Sequence, residues 1–251
     1  MNNSVAAVEA LAARQLFDYR RRTPGSYFAE TGASLTLDEA YAVQMEVARL
    51  RCAAGDAVVG YKVGCIGSGV VEQFGMCGPI HARLFLSELR NSEETLQYDA
   101  YANLAIEGEM AVRIGANGGI AAAFPVIELH HFVFRGPRKT LAELVANNGI
   151  NAGAVIASRH TTMMLEDWAS SRTLSVVVNG TVVDAGGLWA MRDGALEAVE
   201  WLRDDLSRFE ITLMPGDLVL AGTPLGLHPV KPGDDVIVSV DDRKYVQCRI
   251  S

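Results

Sequence analysis

"LAIEGEMAVRIG", residues 104–115, is the stretch that decides how this chain folds. Apolar and polar side chains alternate along it. Leu104, Ile106, Met110, Val112 and Ile114 share one face of an extended strand; Glu107, Glu109 and Arg113 share the other. Two glutamates two residues apart point the same way, roughly 6.6 Å apart along a strand. Taken alone, such a pair is an ordinary solvated strand face. Residues 116–119, "ANGG", then mark a turn, and "IAAAFPVIELHH", 120–131, returns as a second extended run. If the two runs pair around Asn117-Gly118, Glu128 falls near Glu107. Glu128 stands among Phe124, Val126, Ile127 and Leu129, so it is buried on at least one side. A buried carboxylate needs a partner, and like charges placed opposite each other destabilise a sheet. A hard divalent cation removes the conflict, and three carboxylates suit Mg²⁺ or Mn²⁺.

Working outward, residues 1–57 read as a helical N-terminal region. Val5 to Arg22 is rich in Ala, Leu and Arg. Thr36 opens a second helix, with Glu39 in capping-box spacing and Ala40, Val43, Val47 and Leu50 as its apolar stripe; Gly55 suits the stop. Residues 58–251 read as a β-rich catalytic domain. "SVVVNGTVVDAGG" has a hairpin turn at Asn179-Gly180. "ALEAVEWLRDDLSRF" is an amphipathic helix, with Leu196, Val199, Leu202 and Leu206 on one side. The tail holds two Pro-Gly-Asp turns between strands. The sum is an α+β fold, not an alternating βαβ series.

The chain has 251 residues, 49% hydrophobic and 21% charged, as in a soluble globular protein. Its net charge of −8 argues against nonspecific binding to nucleic acid or an anionic membrane. The four cysteines (Cys52, Cys65, Cys77, Cys248) form no CxxC pair, which fits reduced thiols in the cytoplasm. The N-terminus does not read as a secretory signal, and no apolar run reaches the ~18 residues of a membrane span. No HExxH, GxSxG or GxGxxG occurs, so zincins, serine hydrolases and dinucleotide-binding folds have no support.

"GYKVG", 60–64, puts Lys62 in a short extended segment, either a surface lysine or a cation for a substrate carboxylate or keto oxygen. Gly75, Gly78 and Pro79 make a turn-rich loop carrying His81, a candidate general base, though a surface loop histidine is plainer. His130 and His131 follow Glu128; one of them can face the site, though a hydrogen-bonded core histidine is the plainer reading. Ser158-Arg159 can hold an anionic group, though a surface arginine is plainer. Trp168, Trp189 and Trp201 read as core or interface aromatics.

In order, the chain carries "GYKVG", "GPIHARLF", "IEGEMAV", "PVIEL", "LVANNGINAGAVI" and "WLRDDLSRFEITLMPGDLVLAGTPLGLHPVKPGDDVIV". This set resembles the fumarylacetoacetate hydrolase superfamily over about residues 58–251. Within it, the closer match is the 2-oxopent-4-enoate hydratase and 4-oxalocrotonate decarboxylase branch. The resemblance implies a mixed β-roll with a divalent metal, Mg²⁺ or Mn²⁺, on Glu107, Glu109 and Glu128, and Lys62 as an active-site cation. It implies Asn148 and Asn151 as polar substrate contacts and places Thr223 in a turn lining the pocket. The expected enzyme is a homo-oligomeric hydratase that adds water to a 2-hydroxydienoate or 2-oxo-4-enoate through a metal-stabilised enolate. A decarboxylase, a C–C bond hydrolase, and a catalytically defective oxo-acid-binding protein are the alternatives. Two departures stand out. Pro79-Ile80-His81-Ala82 lacks the acid of the branch's Pro-Asp-Phe-Gly lid, leaving His81 as the nearest substitute. The usual E-I-x-D-S-R after the third ligand reads E-L-H-H-F.

Overall fold

A computed structural model describes residues 2–66, 78–136, 138–157, 163–168 and 171–251, with side chains from Val5 onward. Gly75, Cys77, Ser158, Arg159 and His160 lie outside the described residues. The N-terminal region forms α1 (Asn2–Arg20) and α2 (Leu37–Ala53). Thr36 caps α2 as its spacing predicts: its Oγ1 accepts from the Glu39 N–H at 3.2 Å, and the Glu39 carboxylate accepts from the Thr36 N–H at 2.8 Å. Ala40 and Val43 are buried, while Val47 and Leu50 pack at the edge of the same cluster. That cluster also takes in Ile80 and the short helix α3 (Leu141–Ala146), so the helices cover one end of the sheet.

The strands are β1 (Val58–Gly64), β2 (Ile80–Phe85), β3 (Leu89–Asn91), β4 (Thr95–Leu96), β5 (Leu104–Ile114), β6 (Ile120–His131) and β7 (Asn151–Ile156). After these come β8 (Thr173–Val178), β9 (Thr181–Gly187), helix α4 (Gly194–Ser207), β10 (Leu218–Leu220), β11 (His228–Pro229), β12 (Asp235–Val240) and β13 (Arg243–Ile250). They form two sheets. One runs β2-β1-β10-β5-β6-β7-β3 with β11 added to β5; the other runs β4-β13-β12-β8-β9. Parallel pairs (β1 with β10, β3 with β7, β4 with β13) sit among antiparallel ones, giving the mixed β-roll.

β5 and β6 pair in the expected register, Glu107 opposite Glu128. Pro125 does not break the pairing. It sits opposite Met110, one residue beyond Val126, the last β6 residue paired with β7, where its missing N–H leaves no ladder bond unmade. The apolar face of β5 packs on the second sheet, with Ile106, Met110 and Val112 joining Val176, Val238 and Val246 in one core. This contact explains the residue between the two glutamates. A Cβ on Gly108 would lie 2.6 Å from Val176 Cγ2 and 3.3 Å from Val238 Cγ2, so only glycine fits there.

The hairpin at Asn179-Gly180 joins β8 to β9 with both residues left-handed (φ 51° and 78°), the paired positive φ that an Asn-Gly turn supplies. Both Pro-Gly-Asp turns close alike. Asp217 accepts from the Met214 N–H at 2.7 Å, and Asp234 from the Lys231 N–H at 2.9 Å. In α4 the buried face is Ala195, Ala198, Val199, Leu202, Asp205 and Leu206. Leu196, expected on that face, is 55% exposed. The helix is rotated so that Asp205 turns inward to meet a buried partner. Trp168 is buried and donates its indole N–H to the Ala123 carbonyl at 2.9 Å. No described helix is long and apolar enough to cross a membrane.

Candidate metal and substrate site

Glu107 and Glu109 on β5 and Glu128 on β6 converge on the polar face of the first sheet, at the floor of a cavity of about 300 Å³. Lys62 reaches the same floor from β1. Its Nζ lies 2.8 Å from Glu128 Oε1, and both side chains are buried. Gly149, in "NNGI", makes that approach possible. It sits at φ 61°, and a Cβ there would come within 2.8 Å of Lys62 Cε. Asn151 donates its amide to Glu128 Oε1 at 2.7 Å, while its own Oδ1 accepts from the Gly153 N–H at 3.0 Å. Asn151 thus orients a carboxylate. Glu109 accepts from the Gly222 N–H and shares a hydrogen bond with Glu128.

Three carboxylates against one ammonium leave two uncompensated negative charges if all ionise. The electrostatics reflect that excess. Burial, then the nearby Glu128 and Glu107, push the Glu109 carboxyl well above the usual range. Burial acts to raise Glu128 as well, but Lys62 and His130 outweigh it and hold Glu128 ionised. Burial disfavours the Lys62 ammonium, yet the surrounding carboxylates more than compensate and keep it charged.

His130 reaches the site too. Its Nε2 lies 3.4 Å from Glu107 Oε2 and 3.5 Å from Glu128 Oε2, and the three groups cluster tightly enough to hold one ion. The reading of His130 as a core histidine is thereby corrected. It is two residues from Glu128 on the same strand, so it shares Glu128's face. The spacing that joined Glu107 to Glu109 contained this signal. His131 faces the other way and is a core histidine: its Nδ1 accepts from the Ala102 N–H at 2.9 Å, and burial, with His130 and two arginines, pushes its pKa down to about 4.

Two further expected residues turn elsewhere. His81 is not in a loop but on β2, fully buried, and absent from the cavity wall that its neighbour Ile80 helps to form. Its Nδ1 lies 2.7 Å from Asp205 Oδ2 on α4, and its ring stacks on Tyr41 at 4.6 Å. Burial holds it below the usual histidine pKa, against the opposing pull of the Asp205 carboxylate. Asn148 clamps the backbone of β2, accepting from the Arg83 N–H and donating to the Arg83 carbonyl, both at 2.8 Å. Both ends of its amide are therefore occupied away from the cavity.

One wall of the cavity is the segment 222–227, which includes Thr223. This segment is tied to the second sheet, because Asp184 on β9 accepts from the Gly226 N–H at 2.8 Å and pairs with His228 Nε2 at 3.0 Å. The opposite wall is apolar: Phe132, Phe134, Leu144 and Ile150. Cys65 also lines the cavity, and burial raises its thiol to about 11, so it stays protonated. Among the described lining residues, Lys62 and His130 are the basic side chains.

A mixed β-roll with an acidic cluster and one lysine at its mouth defines a class of small-molecule enzyme folds. Residues 85–251 match the fumarylacetoacetate (FAA) hydrolase C-terminal family, and the chain belongs to that family. It is 28% identical over 211 residues to the TodF product hydratase of Pseudomonas putida, covering 79% of this chain and 78% of that one. It is 22% identical over 236 residues to the 2-oxo-hept-4-ene-1,7-dioate hydratase of Escherichia coli, covering 86% and 87%. Its fold superposes with TM-score 0.88 on 4-oxalocrotonate decarboxylase from Pseudomonas putida G7, a structure complexed with magnesium and adipate. There the identity is 22% and the coverage 98% of each chain.

Proposed function

We propose that this protein is a divalent-metal-dependent hydratase that adds water to a 2-hydroxydienoate, or its 2-oxo-enoate tautomer, to give a 4-hydroxy-2-oxo acid. The observation that carries the reading is the excess of carboxylates, half-buried Glu107 with buried Glu109 and Glu128, over the buried Lys62 at the floor of a cavity sized for a small acid. The donor set fits a divalent ion. Oxygen ligands from three carboxylates suit such an ion, and its two positive charges offset the crowding of carboxylates that raises the Glu109 pKa. When bound, the ion supplies a Lewis acid for the oxygens of a 2-oxo acid.

The chain's own residues do the rest. Glu107, Glu109 and Glu128 hold the ion, and Asn151 fixes the Glu128 carboxylate. Lys62, charged at Nζ, attracts the substrate carboxylate and supplies a proton to the terminal carbon as the dienol becomes the enone, and the proton lost from the 2-hydroxyl restores its charge. Water then adds across the remaining double bond, with hydroxyl at the distal carbon. The apolar wall of Phe132, Phe134, Leu144 and Ile150 packs the chain of the substrate and excludes bulk water. A homo-oligomer in the cytoplasm is the setting that goes with this reading.

The decarboxylase is the second reading, favoured by the superposition over 98% of both chains. The same polar floor suits it, with CO₂ leaving in place of water adding. The test is a pair of assays on protein stripped by chelator and reloaded with Mg²⁺ or Mn²⁺. Loss of the dienoate ultraviolet band with formation of a 4-hydroxy-2-oxo acid supports the hydratase. CO₂ release from a 2-oxo-enedioate without hydration transfers the assignment to the decarboxylase. Binding without turnover of either makes the protein an oxo-acid-binding protein.

A further inference from the structure

Glu107, Glu109 and Glu128 offer only oxygen, yet the side chain that clusters with Glu107 and Glu128 offers nitrogen. His130 is 2% exposed. Neither of its ring nitrogens has a hydrogen-bond partner among the described residues. Buried polar atoms are almost always partnered, and one that is not calls for an explanation. The ring is not aimed at random. Its Nε2 sits 3.4 Å from Glu107 Oε2 and 3.5 Å from Glu128 Oε2, too far for a good hydrogen bond to either and nearly equidistant between them. Donors bound about 2.1 Å from one ion lie roughly 3.0–3.4 Å from one another. The spacing is that of neighbouring ligands.

We propose that His130 Nε2 is a protein ligand to the same divalent ion as the carboxylates, and that the resulting nitrogen-containing site selects a transition metal over Mg²⁺. This rests on the reading of the three carboxylates as a metal site. Mg²⁺ favours all-oxygen octahedra and keeps its waters, whereas imidazole suits the borderline first-row ions, whose affinities rise from Mn²⁺ through Fe²⁺ and Co²⁺. A neutral imidazole adds affinity without adding to the negative charge of the floor. It gains most with the ions that bind nitrogen best.

The experiment uses the full chain, stripped by chelator, as wild type and as His130→Gln, which keeps nearly the same volume. Calorimetric titrations with Mg²⁺, Mn²⁺ and Co²⁺ give the metal preference. Electron spin-echo envelope modulation on the Mn²⁺-loaded protein reports directly on a coordinated ¹⁴N, with no need of activity. The expected result is an imidazole ¹⁴N signal in the wild type that disappears in His130→Gln, with the Co²⁺-over-Mg²⁺ affinity ratio falling at least tenfold. The wild-type signal does not depend on how well the variant folds. Mn²⁺ binding without a ¹⁴N signal, or with one that persists in His130→Gln, overturns the assignment and leaves the hydratase reading standing. Absence of any metal binding overturns both.

Discussion

Gly108→Ala tests the link between the two sheets and the acidic floor. The added Cβ would stand 2.6 Å from Val176 Cγ2, 3.3 Å from Val238 Cγ2 and 3.6 Å from Leu225 Cδ1. Carbon atoms in contact sit about 3.5–4.0 Å apart, so Val176 or β5 must move by roughly 1 Å. Val176 is β-branched, completely buried and held in the β12-β8-β9 ladder, so a rotamer change cannot provide the room. Overpacking of this kind costs about 1–3 kcal/mol. If β5 yields instead, Glu107 and Glu109 move with it and metal affinity falls. Urea unfolding of Gly108→Ala, Val176→Ala and the double variant separates these effects. Val176→Ala alone loses two buried methyls, about 1.6 kcal/mol of transfer free energy plus a cavity contribution. The double variant, with the clash relieved, should be no less stable than Val176→Ala, which gives a favourable coupling of at least ~1 kcal/mol. Strict additivity, or a Gly108→Ala protein as stable as wild type with unchanged metal binding, would refute the close-packing account of the E-G-E sequence.

Three other outcomes follow from the same geometry. Lys62→Met removes the ammonium 2.8 Å from Glu128; kcat should fall by about 10²-fold or more, while calorimetry finds divalent-ion affinity no weaker, because a competing positive charge has gone. Weaker ion binding in Lys62→Met would count against a separate cation role. Arg51→Ala strips a guanidinium that pairs with Glu88 and Asp56, each at 2.8 Å, and leaves Glu88 buried, so thermal unfolding should report a loss of about 3–5 kcal/mol; a loss below ~1 kcal/mol would mean water reaches Glu88. Burial depresses the pKa of His81, so the unfolded chain binds that proton more readily, and stability should decline as pH falls below about 6.5. His81→Gln should flatten this limb of a pH series of unfolding midpoints, and an unchanged limb would mean that His81 is already protonated in the fold.

Much of the first sheet was legible because its information is local. Alternation fixed the faces of β5, a turn fixed the register with β6, and Glu128 opposite Glu107 followed from both. The fate of His81 was not local. Gly78 and Pro79 suggested a loop, but β2 begins at the next residue, and the partner that buries His81 is Asp205, 124 positions away. The rotation of α4 has the same cause: Leu196 gives up its inward place because Asp205 needs it. Asn148 was misleading for a related reason, since an amide side chain serves a backbone clamp as readily as a ligand. His130 differs from these. Period-two alternation from Glu128 places it beside the carboxylates, and only the higher frequency of core histidines argued otherwise.

The clamp from Asp184 to Gly226 and His228 means that one wall of the cavity is held by both sheets. The acids and the lysine are anchored in strands of the larger sheet, and the segment carrying Thr223 runs between β10 and β11 of that same sheet while its clamp reaches the edge strand of the smaller one. Because Gly222 in that wall also donates to Glu109, changes in the wall reach the carboxylates, whereas changes at Phe132, Phe134 or Leu144 alter the space beside them. A shift of one sheet against the other therefore moves wall and floor together, so that the packing between the sheets bears directly on the shape of the cavity.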